Sequence, residues 1–490
     1  MKLNKIFGSA ALTALGVLAL VSCNKTDDAT QSSATNNNST QTTQGGSTTT
    51  SGKITLITTA GDTLKAVLEQ AEKVFEEANP GWDIDIQNGY GYDTLNTKVT
   101  SDLTAGNQPT LAFCYGDHVA GYLKTKKVID FNKFIEKDND WKTNYLPHMI
   151  QSYYDEGTVF GDSSKRYTMP LAKSTDAVYI NQTVVGPILK ELGIDVNSKT
   201  SWTWDNLWKV CAKLKEIYPN STPLGYDSES NWVITYLEEA GAKDNAKYYT
   251  DGTKKGENKL LFNNATTKAF FKDVYNQYQN GYVTTKNVYG SYTSGLFSVY
   301  DKAKDTSTEY KNSYAGSFIS IGSTGGASYQ LPTNGDAQFT TIVAPEPSLS
   351  DGTRKQISQG PSLVMFDQGS EEVQQAAWKF VKVLLSDSVQ QAYAVASAGY
   401  SPVRSDSLQS VIDSLDTETA KGKINSDCLK LLKEVSNDLY TSDCFNGSAT
   451  VRTQVGNALV TLLKNTSSLD LDKKIAAALN AAYEECEYNI

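Results

Sequence analysis

The sequence predicts an α/β protein of two lobes, each a doubly wound sheet covered by helices, and three observations carry that prediction. The chain has 490 residues, too many for one compact core and enough for two or three units of ordinary domain size. From Lys53 onward short apolar runs alternate with amphipathic segments as strand, helix, strand, helix, strand, the order of a parallel sheet buried on both faces. From Tyr167 a second mixed region of extended and helical segments begins.

The chain opens with Lys2 and Lys5 ahead of an apolar segment from Ile6 to Val21. That is a secretory leader, shorter than the roughly 20 apolar residues that span a bilayer. Ordinary signal cleavage after Ser22 would want a small residue where Leu20 stands. Leu20-Val21-Ser22-Cys23 instead resembles the lipobox of bacterial lipoproteins, which implies that residues 1–22 are a signal peptide and that Cys23 carries the lipid. Residues 24–52 hold no aromatic residue and no Ile, Leu or Val, so they cannot bury enough surface to offset their ordering entropy. Residues 23–52 are therefore expected to form a lipid-anchored tether. It would hold a globular part at the cell envelope, in the periplasm or on the outer face of the cytoplasmic membrane.

KITLITT reads as the first strand. TLKAVLEQAEKVFEEANP places Leu64, Val67, Leu68, Ala71, Val74, Phe75 and Ala78 at helical spacing and stops before Pro80. WDIDIQ is the second strand, YDTLNTKVTSDLTAG a helix ended by Gly106, and PTLAFCYG the third strand. In such a sheet ligands sit beyond the carboxyl ends of the strands, which selects 58–62, 88–92 and 115–117. YTMPLA and DAVYIN are extended, and TWDNLWKVCAKLKEIYP is a helix entered at Thr203 as N-cap and closed before Pro219. NWVITYLEEAG and TTKAFFKDVYNQYQNG are further helices, SFISIG and FTTIVAP strands. ISQGPSLVMF leads into a strand, SEEVQQAAWKFVKVLLSDSVQQAYAVASAG gives two successive helices, and from Asp406 the chain reads as almost entirely helical.

A formal charge of −10 and a pI near 5.0 leave no basic field for nucleic acid. The two histidines, His118 and His148, and six cysteines without CxxC or CxxH spacing make a zinc site a poor expectation, and neither metal nor cofactor is implied. Cys114 and Cys211 lie among apolar residues and read as buried small hydrophobes. Cys428 and Cys444 are far enough apart to close a loop, and export would allow a disulfide, but Cys486 is an equal candidate for either partner or for a free thiol, so the pairing stays open. The 28 tyrosines and seven tryptophans supply flat amphipathic faces for polar ligands, though half-buried strands favour tyrosine as well.

Six ordered segments, YDTLNTKVTSDLTAGNQPTLAFCYG, YTMPLAKSTDAVYIN, TWDNLWKVCAKLK, ISQGPSLVMF, EEVQQAAWKFVKVLLSDSVQQAYAVASAGYSPVRSD and VRTQVGNALVTLLKN, together resemble the extracellular solute-binding proteins of bacterial ABC importers, of the carbohydrate and glycerol-3-phosphate type. The resemblance implies the two-lobed periplasmic-binding-protein fold of type II, closing on a solute, with hinge crossings near 172–176, 358–361 and 399–404. It divides the chain into a first lobe of 53–173 with a return at 361–400, and a second lobe of 174–360 with a helical part at 401–490. It implies a monomer that hands a sugar or polyol to permease subunits. Family ligand contacts carry over to Tyr92, Ser174, Trp232, Ser323 or Thr324, Gly360 and Tyr400, with Asp117 as a carboxylate beside them.

Two departures bear on the solute. An acidic residue follows the third strand's tyrosine in the glycerol-3-phosphate branch, whereas here Gly116 follows Tyr115 and Asp117 comes one position late. That branch also uses a C-terminal arginine, and Arg452 aligns with a helix position outside the site. With four arginines in the chain, a bidentate clamp on phosphate has few candidates. A neutral sugar stacked on Trp232, Tyr92 or Tyr400 is the expected ligand. IGSTGG could alternatively form an anion-binding nest, but it lacks the Lys-Ser/Thr ending of a nucleotide-binding loop. A glycoside-acting enzyme using carboxylates such as Asp62, Asp93 and Asp117, or a surface adhesin without transport, are the alternatives. No G-x-S-x-G elbow supports nucleophilic hydrolysis.

Overall fold

Two five-stranded sheets organise the computed structural model, which describes residues 51–251, 259–335 and 338–489. Across the first the order is Trp82–Gln87, Gly52–Ile57, Leu111–Cys114, Ser362–Met365, Met169–Pro170. The first three are parallel, and Ser362–Met365 runs antiparallel to both of its neighbours. Across the second the order is Val283–Thr285, Leu224–Tyr226, Ile319–Ser323, Asp176–Asn181, Thr341–Ala344. Central strands are buried along their whole length, as in Leu111–Cys114 and Asp176–Asn181, because helices cover both faces.

The expected local signals act where they were read. Helix Asp62–Ala78 buries Val67, Leu68, Ala71 and Phe75 as one stripe. Helix Tyr92–Ala105 ends on Gly106, whose left-handed φ of 76° lets its N–H return to the carbonyls of Asp102 and Leu103. Helix Trp204–Ile217 starts from Thr203, whose side chain accepts from the Asn206 N–H at 3.3 Å.

Each sheet owns a separate core. The first gathers residues from Ile54 to Ala172 and again from Leu363 to Val403; the second gathers Ala177 to Ala344 and again Ile424 to Cys486. Val403 packs in the first core, although the resemblance began the second lobe at 401. A small cluster of Ala394, Leu408, Val411 and Leu429 links the two.

The chain crosses between the cores three times. Ser174 exchanges backbone hydrogen bonds with Gln359, at 2.7 and 2.9 Å, and Ser401 and Pro402 pair with Lys173 and Ala172. Gly360 makes one of these approaches possible. Its φ is +112°, and a Cβ there would stand 2.5 Å from the Ala172 carbonyl oxygen. No helix among the described residues is long and apolar enough to cross a membrane. Cys23 and the leader lie outside the described residues.

The Cys428–Cys444 pairing that the sequence left open is not formed, and both are free buried thiols. Cys428 sits in the second core beside the Tyr179 hydroxyl at 3.9 Å. Cys444 packs instead against Gly116, where an added Cβ would meet its Sγ at 2.6 Å.

Candidate functional site

The carboxyl ends of the first sheet's parallel strands supply one wall of a cleft. Tyr92 opens helix Tyr92–Ala105, and its ring stacks on Tyr115 with centroids 4.0 Å apart. Burial pushes both hydroxyls up, with the phenol of Tyr400 adding to it, so these are neutral, amphipathic faces. Asp117 lies in the first turn of the short helix Gly116–Tyr122 and accepts from the His118 N–H at 2.9 Å.

The second lobe supplies the other wall. Asp227 accepts from the N–H of Thr293 at 2.6 Å and from its hydroxyl at 2.7 Å. Glu229 accepts from Asn287 N–H at 2.8 Å and Nδ2 at 3.0 Å. These two carboxylates stitch the turn before helix Glu229–Asp244 to the segment carrying Lys286. Helix Ser448–Leu463 comes close because Gly456 has no side chain: a Cβ there would lie 2.3 Å from Ser230 Oγ.

Arg452, in the first turns of that helix, is the cation of the cleft that the sequence reading placed outside the site. Its Nη2 donates to Asn231 Oδ1. Burial lowers its pKa, but the facing Asp117 carboxylate and then Tyr115 outweigh it and hold the guanidinium above its ordinary value. Between the walls lies a cavity of about 560 Å³ bounded by Asp93, Tyr115, Asp117, Asp227, Lys286 and Arg452 among others. That volume is in the range of small-molecule sites. A smaller recess of about 60 Å³ continues behind Arg452 toward Glu156, Lys173 and Gly360.

At the hinge the structure brings together Ser174, Ser323, Thr324, Gly360 and Tyr400. Ser323 Oγ donates to Ser174 Oγ at 3.2 Å, and the Thr175 N–H donates to Thr324 Oγ1 at 3.3 Å. Gly325 lies so close to Tyr400 that a Cβ would enter the ring, 2.5 Å from Cζ. Ser174 and Thr324 are buried within the crossing, while Ser323 and Tyr400 are half-buried. The IGSTGG turn is no open anion nest. The Thr324 N–H is taken by Thr175 O at 2.8 Å and the Gly325 N–H by Ser323 Oγ at 3.2 Å.

Trp232 is corrected. It is 1% exposed in the second core, stacked on Tyr226 at 4.8 Å and packed against Trp204 and Phe270. It presents no face to the cleft walls. Asp227, Glu229, Lys286 and Asn231 were missed altogether. The signal that could have found them is Ser228, an N-cap accepting from the Asn231 N–H at 3.3 Å, since residues around a helix start on the second sheet face the opposite lobe.

A family model described as bacterial extracellular solute-binding protein matches residues 70–420. No curated protein matches the sequence. Among solved structures, UgpB from Mycobacterium tuberculosis in complex with glycerophosphocholine is 14% identical, with a TM-score of 0.66 over 90% of this chain and 99% of that one. An ABC substrate-binding protein from Listeria monocytogenes in complex with cycloalternan is 13% identical, with a TM-score of 0.65 over 89% and 99%. The maltose/maltodextrin-binding domain MalE from Bdellovibrio bacteriovorus, bound to maltotriose, is 16% identical, with a TM-score of 0.61 over 89% and 100%. These likenesses concern the two-lobed fold.

Proposed function

The chain belongs to the bacterial extracellular solute-binding proteins, a family of binding proteins, and on that premise we propose that it captures a neutral sugar or short oligosaccharide between its lobes and delivers it to the permease of an ABC importer. The observation that carries the reading is the cavity walled by residues of both lobes. Tyr115 offers an aromatic face, and Asp117, Asp227, Lys286 and Arg452 offer hydroxyl partners.

Charge supports a neutral solute over a phosphorylated one. Four acids, Asp93, Asp117, Asp227 and Glu229, line the cavity with two cations, Lys286 and Arg452. Arg452 is already committed to Asn231 and faces Asp117. A phosphate would arrive against that excess, whereas sugar hydroxyls donate readily to carboxylates. The relatives' ligands, maltotriose, cycloalternan and glycerophosphocholine, include both sugars and a phosphodiester.

Thermal-shift screening of the full chain against sugars, oligosaccharides, polyols and glycerol phosphates tests this. A solute present at a hundred times its Kd should add about 2.7 kcal/mol to apparent stability, and Arg452→Gln should reduce that shift. A response to glycerol phosphates without one to any sugar would overturn the neutral-solute reading. Silence across the panel together with unchanged small-angle scattering would overturn capture itself.

We also propose anchoring through a lipid on Cys23, supported by the leader, the lipobox-like LVSC and the apolar-free residues behind it. Cys23→Ala should abolish incorporation of labelled fatty acid and release the protein from membranes. Labelling that persists in this variant would refute the assignment.

A further inference from the structure

One carboxylate joins the hinge to the cleft. Asp176 begins strand Asp176–Asn181 directly after the first crossing and is 2% exposed. Its Oδ2 accepts from Asn231 Nδ2 at 2.7 Å and its Oδ1 from Gln359 Nε2 at 2.8 Å. Gln356 Nε2 donates to its backbone carbonyl at 2.9 Å. Gln359 belongs to the second crossing, where its backbone is paired with Ser174. Asn231 turns its other end, Oδ1, to Arg452. A continuous hydrogen-bonded path therefore runs Gln359, Asp176, Asn231, Arg452, from hinge strand to cavity wall.

We propose that Asp176 is a positioning residue: by accepting from both Asn231 and Gln359 it fixes the Asn231 amide with its oxygen toward Arg452, and so ties the placement of that guanidinium to the hinge. Its consequence for solute affinity rests on the solute-capture reading above. The reason lies in donor and acceptor arithmetic. An ionised carboxylate accepts at every lone pair and donates nothing. An amide or a protonated carboxyl at 176 brings a donor to a place where two donors already point. The conflict is relieved when the Asn231 amide turns over, which sets its NH₂ against the guanidinium, donor against donor. Arg452 then loses its Asn231 hydrogen bond, keeps only the charge of Asp117, and shifts from its station.

The groups that face Asp176 are few. Arg452 comes from helix Ser448–Leu463 and Asp227 from the turn before helix Glu229–Asp244. Tyr226 comes from strand Leu224–Tyr226 of the same sheet, Tyr179 from its own strand, and Glu346 from the segment after Thr341–Ala344. Burial pushes the Asp176 carboxyl up to about 6, against the hydrogen bonds from Asn231 and Gln359 and the charge of Arg452. Arg452 should therefore be held at pH 7 and released as the pH falls toward 5.

The small number of arginines makes this measurable without any solute. The other three have partners of their own: Arg354 with Asp438 at 3.0 Å, Arg404 with Asp406 at 2.7 Å, and Arg166 over the Tyr154 ring at 3.5 Å. Full-length wild type, Asp176→Asn, Asn231→Ala and the double variant would be labelled with phenylglyoxal, and the rate at each arginine read by peptide mass spectrometry. Taking the ratio of Arg452 to Arg354 cancels the reagent's own pH dependence.

At pH 8 the ratio should rise about tenfold in Asp176→Asn, the loss expected for one charge-assisted hydrogen bond. Asn231→Ala should give the same rise and the double variant no more, because the two act in series. Lowering the pH from 7 to 5 should bring wild type up toward the variants and leave the Asp176→Asn ratio flat. A ratio unchanged in Asp176→Asn, a rise shared equally by Arg166 and Arg404, or a wild-type ratio with no step between pH 5 and 7 would overturn the proposal. Since no solute enters the measurement, its failure is separate from failure of the ligand screen.

Discussion

Replacing Lys173 with methionine is expected to cost about 3–5 kcal/mol of stability. Lys173 lies on the first crossing, 2% exposed, with its ammonium paired to the Glu156 carboxylate, whose side chain is 10% exposed. Ser358 Oγ, from the second crossing, donates to the other Glu156 oxygen. The pair thus clamps two hinge strands to the first lobe. Methionine preserves the stem of the lysine but leaves Glu156 charged beneath the hinge with one hydroxyl for a partner. Replacing both members is much cheaper than replacing one, since no lone charge remains buried. Lys173→Met with Glu156→Gln should therefore recover most of the loss, a coupling well outside the few tenths expected for independent sites. Chemical denaturation followed by tryptophan fluorescence reads both variants. A single variant as stable as wild type would show that the pair carries no such load.

Gly360→Ala should cost about 2–3 kcal/mol, and for a backbone reason. Its φ of +112° lies where L side chains are strained, and the new Cβ would stand 2.5 Å from Ala172 O, 3.0 Å from Lys173 Cα and 3.2 Å from Ser174 N. All three neighbours are main-chain atoms of the opposite crossing, so no side chain can swing aside. The strands must separate, and the hinge must change its resting angle. Gly61→Ala is the control, with nothing within 4 Å of its Cβ position, and should cost no more than about 1 kcal/mol, the difference between glycine and alanine at a helix N-cap. Equal stability of the two variants, with identical scattering profiles, would contradict the close approach at the hinge.

Local structure was legible in the sequence because its signals are local. The stripe of Val67, Leu68, Ala71 and Phe75, the Gly106 stop and the Thr203 cap each act within one or two turns of chain. The strand-end rule pointed to 115–117, and Tyr115 and Asp117 do line the cavity, whereas Tyr92 stacks behind Tyr115. Trp232 misled because helix Glu229–Asp244 is buried nearly all round, from Asn231 and Trp232 through Ile234, Leu237 and Ala240. Such a helix shows no polar face, so no periodicity says which side looks at solute.

Arg452 was misjudged for a different reason. Helix Ser448–Leu463 buries Val451, Val455, Leu459 and Leu462, and that pattern assigns the arginine to the outside of its own helix. That this outside faces the other lobe depends on contacts with Ser230 and Asp117, more than two hundred residues away in sequence. Likewise ISQGPSLVMF contains strand residues at both ends, but Gln356–Ile357 and Ser362–Met365 join different sheets on either side of Gly360. Extended character can be read from side chains; the partner of an extended segment cannot.

The strand Ser362–Met365 also determines when the molecule can become whole. It lies between Leu111–Cys114 and Met169–Pro170, and Cys114 Sγ reaches the Ser362 carbonyl across 248 positions of chain. The first lobe consequently lacks an interior strand until about three quarters of the polypeptide exists. An emerging chain cannot seal that lobe early, and contacts of such sequence separation are slow to form. The topology leaves completion of the first core to the last quarter or so of the chain.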